Sequence, residues 1–246
     1  MQAIDHRRSV GDFVTERPSC ARVLERHGVD YCCGGRATLE EACRRAGADL
    51  SAVAAELADA LHEDPHAVNW ARAPLRALVV HIIARHHDAV SAELPRGAAL
   101  VAKVASAHGD RDARLRELET VYGAFALGMA RHMAEEEERV FPAACALEDD
   151  DSTPEARSRA AAEFLDAWRG MHEDHDEAGA ALRIMRDLTG GFSPGPDACN
   201  TWRVMLDCLS WFERDTHRHV HLENNILFPR ARDLAERVGP RVGSGA

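Results

Sequence analysis

The chain has 246 residues and a formal net charge of -11, and its basic side chains are scattered among acidic ones, which argues against a nucleic-acid-binding surface. No segment approaches the roughly 18 to 20 consecutive apolar residues that a membrane helix needs, and no apolar run of signal-peptide length follows the N-terminus. Hydrophobic residues make up 46% and aromatic residues only 5%, with few β-branched runs. We therefore expect an all-α, cytoplasmic protein with no membrane or nucleic-acid partner.

The first 64 residues are predicted to form a small domain of short helices. One helix is expected over Pro18–His27, and a turn rich in Gly and Cys follows at Asp30–Gly35. Residues 38–41, Thr-Leu-Glu-Glu, have the capping-box pattern that opens a helix, and another helix is expected over 49–62. The next segment, 63–74, contains two prolines and lacks apolar periodicity. We therefore place a linker there, between a domain of residues 1–64 and a domain of residues 75–234.

Residues 75–234 carry four long amphipathic segments. Apolar side chains recur every three or four residues in each segment, which is typical of helices that share one core. The segments therefore predict a four-helix bundle. The acidic run Asp149–Pro154 separates the second segment from the third, and Gly190–Pro196 separates the third from the fourth. Within the first segment, Pro95 and Gly97 predict a bend or a break.

One spacing is repeated within these four segments. His132 and Glu136 are followed by Phe-Pro at 141–142, and the same His-x3-Glu-x4-Phe-Pro spacing recurs 87 residues later. A His-Asp pair precedes the two copies by 45 and 44 residues. Each half is therefore predicted to be a helical hairpin that offers one His on its first helix and His-x3-Glu on its second. The candidate metal ligands are His87, His132, Glu136, His175, His219 and Glu223.

These six side chains are predicted to lie at one level of the bundle core. Residues equidistant from the turn of an antiparallel hairpin lie at the same height, and the i, i+4 step puts Glu136 on the same face as His132. Burial of an unpaired polar side chain costs roughly 1 to 3 kcal/mol, and burial of a carboxylate costs more, so a compensating metal is expected.

Four imidazoles and two carboxylates suit two iron ions. Each ion could take two His nitrogens, while Glu136 and Glu223 bridge and leave room for an oxo or hydroxo bridge. Zinc is less suited because it prefers four-coordinate sites. Manganese stays open as an alternative metal.

Two motifs together resemble a known family. One is Asp30-Tyr31-Cys32-Cys33-Gly34-Gly35, and the other is His219-x3-Glu223-Asn-Asn-x-Leu-Phe-Pro. Over about residues 5–232 the chain resembles the Repair of Iron Centres family, the ScdA/YtfE type, with a hemerythrin-like bundle. The resemblance implies a di-iron protein that restores iron-sulfur clusters damaged by oxidative or nitrosative stress, and family members are often homodimers. It carries the family's four His and two Glu onto the same six residues, although His217 and His221 leave the choice of ligand beside His219 open.

Cys32 and Cys33 are the candidate reactive residues. Seven cysteines, an odd number, do not indicate a disulfide framework. Adjacent thiols are too close to chelate one tetrahedral metal, and a disulfide between them would strain the backbone. They are therefore either small buried residues before a glycine turn or a thiol pair that accepts iron, nitric oxide or electrons. The resemblance favours the thiol pair.

Two functions stay open at this point. The first is a repair protein that supplies iron to damaged or apo iron-sulfur proteins, and the Cys pair distinguishes it from a simple oxygen carrier. The second is a nitric oxide reductase, or a hemerythrin-like sensor of oxygen or nitric oxide. Both need a reducible centre with an open coordination position, so the sequence does not separate iron delivery from catalysis. We expect a repair protein rather than a classical enzyme.

Overall fold

A computed structural model describes residues 4–62, 68–149 and 151–238, and most of these residues lie in helices. The described ranges contain no β-strand, only an isolated bridge between Ser9 and Thr38. The predicted all-α class is confirmed. Part of the predicted linker, residues 63–67, lies outside the described residues, and the domain boundary stays a prediction. None of the described helices combines the length and the apolar character that a membrane crossing requires.

Four short helices make up the N-terminal region. They are α1 (Val10–Glu16), α2 (Cys20–Arg26), α3 (Leu39–Ala46) and α4 (Leu50–Ala60). Three of them begin at a side chain that accepts a hydrogen bond from a backbone N–H of the first turn, as N-caps do: Ser9, Thr38 and Asp49. Thr38 is the cap that the sequence pattern predicts.

Four long helical segments follow, and three of them change helix type along their length. The first comprises α5 (Leu75–Ile82), the π-helical turn π1 (Ile83–His87) and α6 (Asp88–His108). The second comprises α7 (Arg114–Glu135), π2 (Glu136–Val140) and α8 (Phe141–Leu147). The third is α9 (Pro154–Leu188), and the fourth comprises α10 (Asn200–Leu222), π3 (Glu223–Leu227) and α11 (Phe228–Val238).

The π-helical turns coincide with predicted metal ligands. His87 closes π1, Glu136 opens π2, and Glu223 opens π3. A π-helical turn is rare and weakens the regular hydrogen bonding of a helix, and such turns are frequent at functional sites. The backbone is therefore irregular where the sequence places half of the candidate ligands.

The described residues fall into two compact units. The first unit takes its residues from Met1–Val80, Arg139–Arg169 and His217–Ala246. Its N-terminal helices α1 to α4 enclose an apolar core that includes Phe13 and Leu57. The second unit takes its residues from His81–Glu138 and Gly170–Thr216.

The core of the second unit is built from α6, α7, α9 and α10. Tyr122, Phe125 and Phe212 lie at its centre, with ring centroids 5.8 to 6.2 Å apart in edge-on or tilted contacts. Met and Leu side chains from all four helices fill the space around these rings. The same unit contains four of the candidate ligands, His87, His132, Glu136 and His175.

The break predicted at Pro95 and Gly97 does not occur, because α6 continues through both residues. Beside the proline, the Tyr122 hydroxyl of α7 donates a hydrogen bond to the carbonyl of Leu94 at 2.9 Å. Gly97 leaves room for this ring, since a Cβ at position 97 would lie 2.1 Å from the Tyr122 hydroxyl oxygen. The buried tyrosine thus ties α7 to α6 at the point where proline removes a helix hydrogen bond.

Candidate metal centre

All six candidate ligands are buried. They lie on four different helical segments, and none exposes more than 2% of its surface. Imidazoles and carboxylates are seldom buried so completely unless they are paired or bind a metal. Their burial therefore calls for a shared cationic partner.

Within the second unit, Glu136 stands between two imidazoles. Its Oε2 atom lies 3.4 Å from Nε2 of His87 and 3.3 Å from Nε2 of His132. The Nε2 atoms of His132 and His175 are 3.0 Å apart. Three ring nitrogens and one carboxylate oxygen thus converge on a small volume, in the way that ligands of a bound cation do.

Within the first unit, the His-x3-Glu step of α10 and π3 brings its own pair together. Nε2 of His219 lies 2.7 Å from Oε1 of Glu223. The neighbouring His221 contacts other groups: its ring packs edge-on against Tyr31, with centroids 5.6 Å apart, and its Nε2 lies 3.4 Å from the hydroxyl of Thr15. His219 is therefore the histidine of this stretch that faces the carboxylate.

The predicted ligands thus form two groups, one in each unit. The second unit holds His87, His132, Glu136 and His175, and the ligand atoms of the last three all lie within 4.8 Å of one another. The first unit holds the pair of His219 and Glu223. Each group combines imidazole nitrogens with a carboxylate, which is a donor set that metal cations satisfy.

Carboxylates also lie behind two of the imidazoles. Nδ1 of His87 is 2.8 Å from Oε1 of Glu137, and Nδ1 of His132 is 3.4 Å from Oδ2 of Asp174. A carboxylate at Nδ1 keeps the proton on that nitrogen and leaves the Nε2 lone pair for a metal. Neither Glu137 nor Asp174 belongs to the ligands predicted from the sequence, although each is the immediate neighbour of a candidate ligand.

The donor set fits metal ions on chemical grounds. Burial of two carboxylates costs several kcal/mol for each, and cations in contact with both would offset that cost. Neutral imidazoles with Nδ1 held by carboxylates are the form in which histidine binds iron, manganese or zinc. The buried His and Glu cluster is thus suited to bind metal.

The two cysteines of the N-terminal motif have unlike surroundings. Cys32 is buried, whereas Cys33 is exposed, and their Sγ atoms are 4.0 Å apart. Neither belongs to the two ligand groups found among the described residues. The hydrogen bond to Cys33, burial and the charge of Asp30 raise the pKa of the Cys32 thiol well above its usual value. Cys32 is therefore protonated at neutral pH.

The carboxylate of Asp30 organises the turn that holds both thiols. It accepts hydrogen bonds from the backbone N–H groups of Cys32, Cys33 and Gly34 at 2.9 to 3.1 Å. The Cys32 thiol donates to the same carboxylate at 3.2 Å. Asp residues favour turns because they make such local bonds. No disulfide joins any of the seven cysteines, all of which lie in the described part of the chain.

Comparison with known proteins places this site in a family. The hemerythrin HHE cation binding domain family matches residues 78–231, and a domain of unknown function, DUF542, matches residues 6–61. The iron-sulfur cluster repair protein ScdA of Staphylococcus haemolyticus is 32% identical over 219 residues, which cover 89% of this chain and 95% of that protein. The iron-sulfur cluster repair proteins YtfE of Musicola paradisiaca and Escherichia coli O81 are 33% and 32% identical, over 91% and 90% of this chain and 96% and 95% of theirs. The chain therefore belongs to the ScdA and YtfE family of proteins with a hemerythrin HHE domain.

Proposed function

We propose that this protein repairs iron-sulfur clusters damaged by oxidative or nitrosative stress, and that it does so by supplying iron. The observation that carries the proposal is the buried group of three histidines around Glu136 in the second unit, with the buried pair of His219 and Glu223 in the first, in a chain alignable over most of its length with iron-sulfur cluster repair proteins. An iron-donating protein needs ions that are held securely yet can be released. Histidine and carboxylate ligands suit single iron ions, whereas thiolates select iron-sulfur clusters, copper and zinc.

Two iron ions are the proposed cofactor. Each ion would take two of the four histidines His87, His132, His175 and His219, and Glu136 and Glu223 would bind both ions. Iron suits mixed nitrogen and oxygen ligands, whereas zinc would be satisfied by four ligands. Manganese is the alternative that metal analysis would detect. When bound, the irons supply the redox-active and transferable metal of the repair reaction.

The chain's own residues prepare and shield this centre. Glu137 and Asp174 hold the Nδ1 protons of His87 and His132, which keeps the opposite nitrogens unprotonated. Arg131 donates a hydrogen bond to Asp174 at 3.2 Å and so fixes the carboxylate that orients His132. The buried position of all six ligands keeps bulk water away from the metal.

Cys33 is the proposed reactive thiol of the Cys pair. It is exposed, while Cys32 is buried and protonated. The partners of such a protein are damaged or apo iron-sulfur proteins, with nitric oxide or oxygen as small ligands. A cytoplasmic location and a homodimer complete the proposal, and the thiol chemistry of Cys33 suits a reducing compartment.

The deciding experiment is a transfer assay. The iron-loaded protein is mixed with an iron-sulfur enzyme inactivated by nitric oxide, without added iron but with a thiol reductant and sulfide, and recovery of the enzyme's activity is measured. Recovery should accompany loss of iron from this chain, and the Glu136→Gln/Glu223→Gln variant should give none. Consumption of nitric oxide without recovery would replace iron donation with the nitric oxide reductase function.

A further inference from the structure

The turn that carries the two cysteines rests on the helical segment that carries a candidate metal ligand. The Asn225 side-chain amide of π3 is 3.2 Å from the carbonyl of Tyr31 and 3.0 Å from the carbonyl of Cys32, and its N–H groups donate to both. Asn225 lies two residues after Glu223 in the same π-helical turn. One short piece of backbone therefore holds both the buried carboxylate and the cysteine turn.

The packing around Asn225 is tight from the side of the turn. A Cβ at Gly35 would lie 2.3 Å from Oδ1 of Asn225, and a Cβ at Gly11 would lie 3.0 Å from the same atom. The N–H of Gly11 also donates to the carbonyl of Gly35 at 2.8 Å. Because the two glycines leave no slack around the amide, a displacement of Asn225 must move the turn or break these contacts.

Other contacts hold Tyr31 in place without Asn225. The Tyr31 hydroxyl donates to Glu25 at 2.8 Å, and the Arg218 guanidinium donates to both oxygens of Glu25 at 3.2 Å. The ring of Tyr31 packs edge-on against the rings of His217 and His221. Loss of the amide should therefore release the cysteine turn while the N-terminal helices stay docked.

We propose that Asn225 is a positioning residue that couples the metal-ligand segment to the thiol of Cys33. When Glu223 is fixed by a bound metal, π3 is fixed, and Asn225 holds the cysteine turn in the conformation described above. When the metal leaves, π3 gains freedom and the turn loosens, so Cys33 becomes more reactive. By the reciprocity of linked equilibria, a change at the turn alters metal affinity by the same factor. The inference rests on the proposed metal centre.

The test measures alkylation of Cys33 by iodoacetamide, read by mass spectrometry at that residue, for iron-loaded and chelator-treated full-length protein. In the natural chain, removal of iron should speed alkylation by about threefold to tenfold, the range that one or two hydrogen bonds support. In Asn225→Ala the two rates should be equal and as fast as in the chelated natural chain. The matched control is Ser19→Ala, which loses the hydrogen bond from the Ser19 hydroxyl to the carbonyl of Ala60 elsewhere among the N-terminal helices.

A second variant covers the case in which Asn225→Ala no longer holds iron. Gly35→Ala disturbs the same contact from the side of the turn, and it should also equalise the two rates. The coupling would be overturned if the alkylation rate of Cys33 depended on iron equally in the natural chain and in both variants. It would also be overturned if that rate did not depend on iron in the natural chain. A chain that shows the coupling but restores no cluster contradicts the proposed function alone. A chain that restores clusters without the coupling contradicts this inference alone.

Discussion

At the scale of single residues, the two candidate carboxylates, one in each ligand group, should affect metal binding most. Glu136→Gln keeps the shape of the side chain but removes the charge that would balance two cations, so iron content should fall from about two per chain to one or fewer. Glu138→Gln is the matched control, because Glu138 is exposed in the same acidic run. Iron analysis of the two purified variants checks this prediction, and equal iron in both would remove Glu136 from the centre.

The neighbouring cysteines should differ in reactivity at neutral pH. The hydrogen bond to Cys33, burial and the nearby Asp30 carboxylate raise the pKa of Cys32, so its thiolate forms only at higher pH. Because only the thiolate reacts and Cys32 is also buried, Cys32 should be alkylated more slowly than the exposed Cys33 at pH 7.5, and its rate should rise with pH. Site-resolved mass spectrometry measures both rates. Labelling of the two residues at one rate would show that Cys32 is not held in this environment.

Several residue roles follow from the sequence and others do not. The six candidate ligands can be predicted because the His-x3-Glu spacing is duplicated. The choice of His219 over His217 and His221 needs the contacts in the structure as well. The contact of Glu137 with Nδ1 of His87 joins residues 50 positions apart, and helical periodicity alone does not indicate it. The contacts of Asn225 with the cysteine turn join residues more than 190 positions apart, which no local pattern indicates.

At the scale of helices, Gly97 should be a position of α6 at which adding a side chain destabilises the protein. Alanine favours a helix interior over glycine by about 1 kcal/mol, but a Cβ at position 97 would meet the buried Tyr122 ring. Overpacking of this kind costs about 1 to 3 kcal/mol, so Gly97→Ala should destabilise the protein. Gly123→Ala in α7, where a Cβ would meet nothing within 4 Å, should stabilise it by up to about 1 kcal/mol. Urea denaturation of both variants gives the comparison, and a stabilised Gly97→Ala would contradict the described contact.

Helix type was not predicted from the sequence, although a signal for it exists. The Phe-Pro pairs at 141–142 and 228–229 follow π2 and π3 directly. Proline has no N–H and its ring crowds the carbonyl four residues earlier, which favours a widened turn before it. The Phe-Pro pair of the repeat thus favours a π-helical turn, in addition to the ligand spacing that the repeat sets. At Pro95, by contrast, no π-helical turn precedes the proline and α6 continues without a break. There the Tyr122 hydroxyl donates a hydrogen bond to the carbonyl of Leu94.

At the scale of the whole molecule, removal of the metal should lower thermal stability. A ligand present at 100 to 1,000 times its Kd stabilises the folded state by about 2.7 to 4.1 kcal/mol. For a chain of this size, each kcal/mol shifts Tm by about 2 to 4 °C, so chelation should lower Tm by about 5 to 15 °C. Calorimetry of loaded and chelated protein measures the shift. An unchanged Tm would mean that the buried carboxylates and imidazoles are stable without cations.

Each π-helical turn equals, in genetic terms, a single inserted codon that a helix has absorbed without breaking. Deletion of one residue from π3 would restore regular α-helical hydrogen bonds and leave the later side chains on nearly the same face, because the widened turn holds one residue more than the α-helical turn that would replace it. Phe228, Ala231 and Ala235, which α11 buries, would therefore stay in the core. The effect of the deletion would be confined to the turn, where Glu223 would lose the irregular backbone that it opens. A homologue with a one-residue gap within π2 or π3 should therefore fold as this chain does and differ from it in metal content.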